Sequence, residues 1–301
     1  MIVIGTRGSK LALVQARWVS SELTKRNQKN EIKIIKTKGD IVQDRFDKME
    51  GKGFFTNEIE AALRRGEIDV AVHCLKDLPT ASPEGLEVRA IPTREDPYDV
   101  IISAKPRNLH ESGFPDLTGL VVGTSSNRRV YALSHYFPTA TFSPIRGNVP
   151  TRIAKMVAGE ADVVVLARAG LNRLKLDLSK YHVFCAEPPL LIPAPGQGAL
   201  ALQTRVDYEG DIAFFHDEET ATCVNHERRI LSAMDGGCQL PLGVLIHRHK
   251  DAYRLEIFLG AVPGSEKDKT DACFFLSLNG ATPENLADQA LTLLKNTVLK
   301  G

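Results

Sequence analysis

The sequence lacks long hydrophobic runs and a bias of charge. No stretch of its 301 residues approaches the ~20 consecutive apolar residues that a membrane-spanning helix needs. Lys and Arg number 38 and Asp and Glu 37, so the formal net charge is only +1. Such a chain has no overall positive field that would draw it to nucleic acid or to an anionic membrane. We therefore expect neither partner, and any anion-binding site must be local.

Paired cysteines and metal-ligand spacings are also missing. The five cysteines are odd in number, widely spread and free of C-x-x-C spacing, which argues against a disulfide framework and a structural zinc site. The histidines show no H-x-x-x-H or H-E-x-x-H spacing, so we assign no metal. The first residues enter an apolar segment with no basic region or cleavage site. We therefore expect a cytoplasmic protein.

What is present is the composition of an ordinary soluble protein. Apolar residues make up 43% and charged residues 25% of the chain, near the averages for globular domains. The length exceeds that of one typical core of about 100–200 residues, so more than one domain is expected.

Two segments of the chain repeat each other. The run Gly66–Val72 has a near copy at Gly159–Val165, and Ile4-Gly5-Thr6 is echoed by Val122-Gly123-Thr124. Each Gly-Thr turn follows a strand-like segment and precedes a helix-like one, with Ser9 a natural N-cap for the first helix. We therefore predict two lobes of similar α/β construction. Alternating strands and helices favour parallel sheets, with ligands outside the C-terminal ends of the strands, so both turns would face a cleft.

The last part of the chain has a different pattern. A helix at 218–234 is followed by strand-like runs at 243–248, 253–261 and 272–278 and by a final helix at 283–296. This order predicts a small α+β domain. Proline-rich segments at 91–97 and 188–198 are the candidate crossings between the two lobes.

Six arginines lie where strands are predicted to lead into helices. They are Arg7, Arg128, Arg129, Arg146, Arg152 and Arg173. Helix N-termini and arginine side chains both bind carboxylates and phosphates, so a ligand with several acidic groups is favoured. The alternative is ordinary helix capping by Ser9 and Ser126.

Three further features invite a functional interpretation. Asp77, after Lys76, is the best-placed carboxylate for proton transfer if it faces the cleft, and otherwise belongs to a surface turn. The loop Gly51-Lys52-Gly53 suits a mobile lid. Cys238 follows two glycines and precedes Gln239-Leu240-Pro241; it is either an inert small side chain or an exposed point of attachment.

The chain closely resembles the porphobilinogen deaminase family over nearly its whole length. The similar stretches are TRGSKLAL (6–13), GKGFFTNEIE (51–60), DVAVHCLKDLPT (69–80), REDPYDV (94–100), VGTSSNRR (122–129), IRGNVPTR (145–152), AGLNRL (169–174), PAPGQGAL (193–200) and DGGCQLPLG (235–243). So many ordered motifs make chance similarity implausible.

The resemblance implies a transferase of tetrapyrrole and heme biosynthesis. It implies two lobes like type 2 periplasmic binding proteins, at 1–92 with 196–214 and at 97–190, and a cofactor-attachment α+β domain at 216–301. In the family, a dipyrromethane cofactor is held by a thioether to the residue that matches Cys238. Four porphobilinogen molecules are condensed head to tail on it, with loss of ammonia, and hydroxymethylbilane is released. A monomer with this small-molecule substrate is expected.

The resemblance also implies roles for single residues. It makes Asp77 the catalytic carboxylate. Cofactor-binding positions match Lys76, Ser126, Arg128, Arg129 and Arg146, and substrate-binding positions match Arg7, Ser9, Gln15, Arg152 and Arg173. Secondary candidates are Lys52, Thr124, Ser143 and Gln197.

Four positions depart from the family pattern as we expect it. They are Cys74, Asn127, Pro195 and Asp235, and none replaces a charged site residue. A non-catalytic binding protein for acidic small molecules is the main alternative, since two α/β lobes around an arginine-lined cleft would look the same. A thiol hydrolase is a weaker one, because no base lies near Cys238 in sequence.

Intact-mass measurement of the purified chain tests the attachment at Cys238. We expect an added mass equal to two deaminated porphobilinogen units, which is lost in Cys238→Ser because the hydroxyl replaces the thiolate that would form the thioether. Cys223→Ser is the matched control and should keep the added mass. An active wild-type chain of unmodified mass would rule the attachment out.

Overall fold

The computed structural model describes residues 1–37, 56–110, 113–234, 240–260 and 273–297. Cys238 and the predicted lid residues 51–53 lie outside this described part of the chain. The chain divides into two compact units, Met1–Glu95 with Ala199–Ala221, and Asp96–Gly198 with Thr222–Gly301.

Unit 1 is built on a five-stranded sheet of order β2-β1-β3-β10-β4. Its strands are β1 (Ile2–Thr6), β2 (Asn30–Ile34), β3 (Val70–Cys74), β4 (Leu86–Ala90) and, much later in the chain, β10 (Leu200–Arg205). Its helices are α1 (Lys10–Lys25) and α2 (Asn57–Arg64), with 3₁₀ turns at Leu75–Asp77 and Ala213–Phe215.

Local sequence explains where the helices of unit 1 begin and end. The hydroxyl of Ser9 accepts a hydrogen bond from the backbone N–H of Ala12 at 3.3 Å, so the predicted N-cap of α1 is confirmed. Ala16, Val19 and Leu23 of α1 are buried in the core of this unit. Beyond α2, Gly66 has a φ of 68°, a left-handed conformation that glycine adopts without strain.

Unit 2 contains a second five-stranded sheet, of order β7-β6-β8-β5-β9. Its strands are β5 (Asp99–Ser103), β6 (Val121–Gly123), β7 (Thr141–Ser143), β8 (Val163–Ala167) and β9 (His182–Ala186). The helices among them are α3 (Asn127–Tyr136), α4 (Val149–Val157) and α5 (Arg168–Leu174).

The two large sheets share one topology. In each, three parallel strands (β2-β1-β3 and β7-β6-β8) are followed by one antiparallel strand, β10 or β5, and then by an outer strand. The predicted repeat is therefore confirmed, with β3 and β8 in equivalent places. Three strands of each sheet are parallel to one another, as expected, but each sheet also contains an antiparallel strand that was not predicted. The antiparallel strands do not enter through a strand-helix-strand crossover, so nothing forces them to be parallel to their neighbours.

The predicted C-terminal α+β elements are confirmed. They are α6 (Glu218–Ala233), β11 (Leu242–His249), β12 (Ala252–Leu259), β13 (Phe274–Gly280) and α7 (Pro283–Thr297). The three strands form an antiparallel sheet.

The C-terminal sheet is buried on both faces. Leu242 and Val244 pack with Leu286 of α7 on one face. Leu245 and Phe258, on the other face, share a core with Ile101 of β5. Both faces of β11 are thus apolar, which explains its continuous hydrophobic run. Within the described ranges, none of the helices has the length and apolarity needed to cross a membrane.

His73 of β3 provides a pH test of the fold. Burial lowers its pKa from 6.5 to about 4, against the opposing effect of a hydrogen bond with Gln203. Since the unfolded chain then binds the proton more tightly, stability should fall as the pH drops from 6.5 towards 4. Between pH 7 and pH 5 this term amounts to about 2 kcal/mol in the free energy of unfolding.

Urea unfolding of wild type and His73→Gln at pH 7 and pH 5 measures that term. The variant should lose about 2 kcal/mol less stability over this interval than wild type does. His182→Gln, which removes an exposed histidine of β9, should behave like wild type. Equal pH dependence in wild type and His73→Gln would show that His73 does not titrate with unfolding.

Candidate functional site

The catalytic candidate lies at the carboxyl edge of the unit 1 sheet. Strands β1 and β3 are parallel neighbours, with Ile4 opposite Val70. Their continuations, Arg7 after β1 and the 3₁₀ turn Leu75–Asp77 after β3, therefore leave the sheet at the same edge. Helix α1 also begins at this edge.

The side chains at this edge differ in exposure. Asp77 is exposed, whereas Lys76 and Arg7 are half-buried. Gln15 of α1 is buried, and its Nε2 lies 3.2 Å from Sγ of Cys74, which ties the helix to the end of β3. Cys74, one of the four departures from the family pattern, thus serves as a hydrogen-bonding partner. An exposed carboxylate beside fixed neighbours suits proton transfer to a ligand.

A second group of candidates lies at the carboxyl edge of the unit 2 sheet. Strands β6, β7 and β8 are parallel. The turn after β6 carries Thr124 to Ser126, and Ser143 ends β7, just before the turn with Arg146. Thr124 Oγ1 accepts a hydrogen bond from the backbone N–H of Ser126 at 3.2 Å. Ser126 occupies the N-cap position of α3, but its side chain accepts no capping hydrogen bond among the described residues. Capping therefore accounts for Ser9 but not for Ser126.

Arg128 and Arg129 share one buried carboxylate, that of Asp99. Their Nη2 atoms lie 2.7 Å and 2.8 Å from the two oxygens of Asp99. Arg128 Nη1 donates to the carbonyl of Ile192 at 2.8 Å, and Arg129 Nη1 to that of Val165 at 2.7 Å. Sequence reasoning had given Asp99 no role, although it ends the stretch REDPYD; the only signal was its place at the start of an apolar strand.

Burial and charge act in opposite directions on this trio. Burial raises the pKa of the Asp99 carboxyl, but the neighbouring guanidiniums of Arg128 and Arg129 outweigh it and hold the pKa well below its ordinary value. Burial also lowers the pKa of Arg128, which Asp99 counteracts. The Nε atoms of Arg128 and Arg129 are buried without a hydrogen-bond partner in the described part of the chain.

Arg152 adds a further positive charge nearby. Its Nε donates to the carbonyl of Gly147 at 2.8 Å. Burial, and then the like charge of Arg129, lowers the pKa of Arg152. Gly147 has a φ of 113°, and a Cβ there would lie 2.7 Å from Thr151, so the turn that positions Arg152 requires glycine. Arg146, one residue earlier, is half-buried.

One predicted site residue, Arg173, is placed differently from expectation. Arg173 does not lie at a strand-to-helix turn, because β8 leads directly into α5 at Arg168 and Arg173 belongs to the last turn of that helix. Its Nη2 donates to the carbonyl of Gly198 at 2.6 Å. Gln197 is buried and its Nε2 donates to Asp99 at 2.9 Å. Lys52 and Cys238 lie outside the described residues.

Among the described residues, the arginine cluster of unit 2 (Arg128, Arg129 and Arg152) carries more positive than negative charge. Arg128, Arg129 and Arg152 carry three charges, and Asp99 provides one negative charge in return. Partly buried cations without counter-ions are costly unless a ligand supplies the anions. Helix N-termini at α3 and α4 favour the same sign of ligand charge. Fold and site together define an α/β protein that gathers arginines and helix N-termini at one sheet edge.

Comparison with known sequences identifies the family. The family model described as porphobilinogen deaminase, dipyromethane cofactor binding domain, matches residues 2–211. A porphobilinogen deaminase of Maridesulfovibrio salexigens is 43% identical over 270 residues, which cover 88% of this chain and 86% of that protein. One from Geobacillus kaustophilus is 41% identical over 302 residues, or 97% of this chain and 93% of that one. The chain belongs to the porphobilinogen deaminase family.

Solved structures show weaker similarity. The second substrate binding domain of a putative amino acid ABC transporter from Streptococcus pneumoniae is 10% identical, covers 78% of this chain and 95% of that chain, and gives a TM-score of 0.43. The periplasmic VFT2 domain of Bordetella pertussis BvgS is 14% identical. The match covers 77% of this chain and 87% of that domain and gives a TM-score of 0.40. At these scores neither likeness carries an argument.

Substitutions in the arginine cluster should separate ligand binding from stability. Arg129→Gln leaves Asp99 with one cation fewer and should cost about 3 kcal/mol of unfolding free energy. Arg152→Gln relieves like-charge repulsion while losing one hydrogen bond, so its stability should stay within about 1 kcal/mol of wild type. Urea unfolding measures both changes.

Added tricarballylate, a tricarboxylate, should raise the unfolding midpoint of wild type by preferential binding to the folded state. That increase should be smaller in both variants. Lys155→Gln, on the same helix as Arg152 but half-exposed, is the control and should respond as wild type does. A large destabilisation by Arg152→Gln with an unchanged response to tricarballylate would assign Arg152 a structural role instead.

Proposed function

We propose that this protein is a porphobilinogen deaminase, also called hydroxymethylbilane synthase. It condenses four porphobilinogen molecules head to tail, with loss of ammonia, into hydroxymethylbilane. The primer is a dipyrromethane cofactor joined to Cys238 through a thioether. The observation that carries the proposal is the arginine cluster, with Arg128 and Arg129 buried and Arg152 half-buried, and its excess of positive charge among the described residues, in a chain whose family binds this cofactor.

The chemistry of the donor set fits the cofactor and the substrate. Each pyrrole carries an acetate and a propionate group, so every unit brings two carboxylates. Guanidinium groups bind carboxylates with directional, charge-assisted hydrogen bonds. The buried Nε atoms of Arg128 and Arg129 supply such donors where water is excluded. When bound, dipyrromethane supplies the nucleophilic pyrrole carbon on which the chain starts.

The binding roles divide between the two sheet edges. In unit 2, Ser126, Arg128, Arg129 and Arg146 hold the acidic side chains of the cofactor; in unit 1, Lys76 contributes a further cation. The residues for the carboxylates of the substrate and the growing chain are Arg7, Ser9, Gln15, Arg152 and Arg173. Nη2 of Arg173 and Nε of Arg152 each donate to a backbone carbonyl, at 2.6 Å and 2.8 Å, which holds both side chains in place.

Asp77 is the catalytic residue. Loss of ammonia from porphobilinogen leaves a cationic azafulvene, and a proton must leave the pyrrole carbon that attacks it. An ionised carboxylate accepts hydrogen bonds from pyrrole N–H groups, balances the cation and relays the proton. The exposure of Asp77 at the end of β3 gives a ligand access to it.

Further proposals concern organisation and setting. The chain is organised as two lobes, 1–92 with 196–214 and 97–190, and a cofactor-attachment domain at 216–301. It acts as a cytoplasmic monomer on a small-molecule substrate. The described cysteines, Cys74, Cys185, Cys223 and Cys273, form no disulfides among themselves, which suits a reducing compartment. The relatives are named for an enzymatic activity, which supports an enzyme over a non-catalytic binding protein.

The role of Asp77 can be tested by substitution. Asp77→Ala should retain the fold, because the side chain is exposed and lies outside the core, and should lose nearly all turnover, at least about 1000-fold. Porphobilinogen consumption and hydroxymethylbilane formation measure the loss, and circular dichroism checks the fold. Asp207→Ala, an exposed aspartate of the same unit, is the control. Near-normal product formation by Asp77→Ala would remove Asp77 from the mechanism.

A further inference from the structure

Asp99 accepts hydrogen bonds from three side chains at the arginine cluster. It is fully buried at the first position of β5. Its carboxylate accepts hydrogen bonds from Arg128, Arg129 and Gln197 at 2.7 Å, 2.8 Å and 2.9 Å. None of these donors is a neighbour of Asp99 in the sequence, so the carboxylate joins three separate segments of unit 2.

The hydrogen bonds of Arg128 and Arg129 restrict the orientation of both guanidinium groups. Each of Arg128 and Arg129 has one terminal nitrogen on Asp99 and the other on a backbone carbonyl, of Ile192 and Val165 respectively. Two fixed nitrogens determine the plane of a guanidinium and hence the direction of its Nε–H. Those Nε atoms are the buried donors that have no partner among the described residues.

The hydrogen bonds continue beyond Asp99. Gln197 Nε2 also donates to the carbonyl of Pro97 at 2.7 Å. The preceding residue, Gly196, donates its backbone N–H to the buried carboxylate of Glu227 in α6 at 2.7 Å, and Glu227 accepts another from Ile246 of β11 at 2.8 Å. The turn that carries Gln197 is thereby fixed to the C-terminal elements, and Gln197 shares Oδ1 of Asp99 with Arg129.

Stability alone does not account for this arrangement. A buried ion pair can commonly be replaced by apolar residues without loss of stability. Here one carboxylate serves two arginines, and Arg152 adds another like charge close to Arg129. An excess of buried positive charge is expected at a ligand site and is a cost elsewhere. The negative charge of Asp99 reduces the repulsion among these arginines, and its hydrogen bonds fix the orientation of the Arg128 and Arg129 guanidiniums.

We propose that Asp99 is a positioning residue of the deaminase reaction, which aims the Nε–H groups of Arg128 and Arg129 at the acidic side chains of the pyrroles. The inference rests on the proposed function. Asp99 does not touch the ligand in this role; it acts through the arginine pair.

The substitution Asp99→Asn keeps the size of the side chain and removes its charge. We expect the Asp99→Asn variant to fold, its KM for porphobilinogen to rise and its kcat/KM to fall about 100-fold. A loss of this size is typical when a binding group is displaced from its productive position. Asp162→Asn is the matched control: its carboxylate is part-exposed, accepts from the backbone of Val121 at 2.9 Å and lies 3.8 Å from Arg107, so its kinetics should match wild type.

A spectroscopic measurement follows the arginines directly. In wild-type holoprotein labelled with ¹⁵N at arginine, the Nε–H signals of Arg128 and Arg129, assigned with Arg128→Lys and Arg129→Lys, should be rigid and slow to exchange with solvent. In Asp99→Asn they should become mobile or exchange faster. A purely structural role of Asp99 would lower the unfolding temperature without moving these signals selectively.

A double variant makes the mechanism falsifiable even if Asp99→Asn is less stable. If Asp99 acts through the pair, adding Asp99→Asn to the double variant Arg128→Gln/Arg129→Gln should change kcat/KM by no more than about 3-fold, because both arginines through which it acts are already replaced. Fully multiplicative losses, or unchanged Nε–H signals in Asp99→Asn, would overturn the proposal. Wild-type protein that does not consume porphobilinogen would instead overturn the proposed function, whatever the spectra show of Asp99.

Discussion

One buried carboxylate keeps the arginine pair of unit 2 charged and fixed. Two adjacent guanidiniums in a core would repel each other and lose their hydration, and Asp99 offsets both costs with two short hydrogen bonds. Among the described residues of a nearly neutral chain, this region therefore holds three arginines against one carboxylate.

The antiparallel strand β5 is what brings Asp99 to the arginines. In a parallel sheet, the first residue of a strand lies at the edge away from the ligand. Because β5 runs opposite to β8, with Asp99 paired to Ala167, its first residue lies at the edge where the parallel neighbours end. The antiparallel direction of β5, which the sequence patterns did not predict, therefore places Asp99 beside Arg128 and Arg129.

Sequence alone predicted the elements, the repeat and most of the charged candidates, because helix caps, glycine turns and apolar periodicity are local signals. Ser9 and Gly66 show this well. The partners of those candidates were not predictable, since Asp99, Arg128 and Gln197 are brought together by strand order rather than by spacing. Arg173 was misplaced because β8 continues into α5 without a turn. The roles of Asp77 and Cys238 came from the family resemblance and stay predictions.

The late strand β10 has a consequence for how the chain is made. In unit 1, β4 joins the sheet only through β10, which lies between β3 and β4. While the ribosome is still synthesising the segment from Asp96 to Gly198, β4 has no partner and β3 has an open edge. At about 5–20 residues per second, that interval lasts about 5 to 20 seconds. Open strand edges are liable to edge-to-edge association, and in unit 1 this edge is closed only once β10 is available to pair.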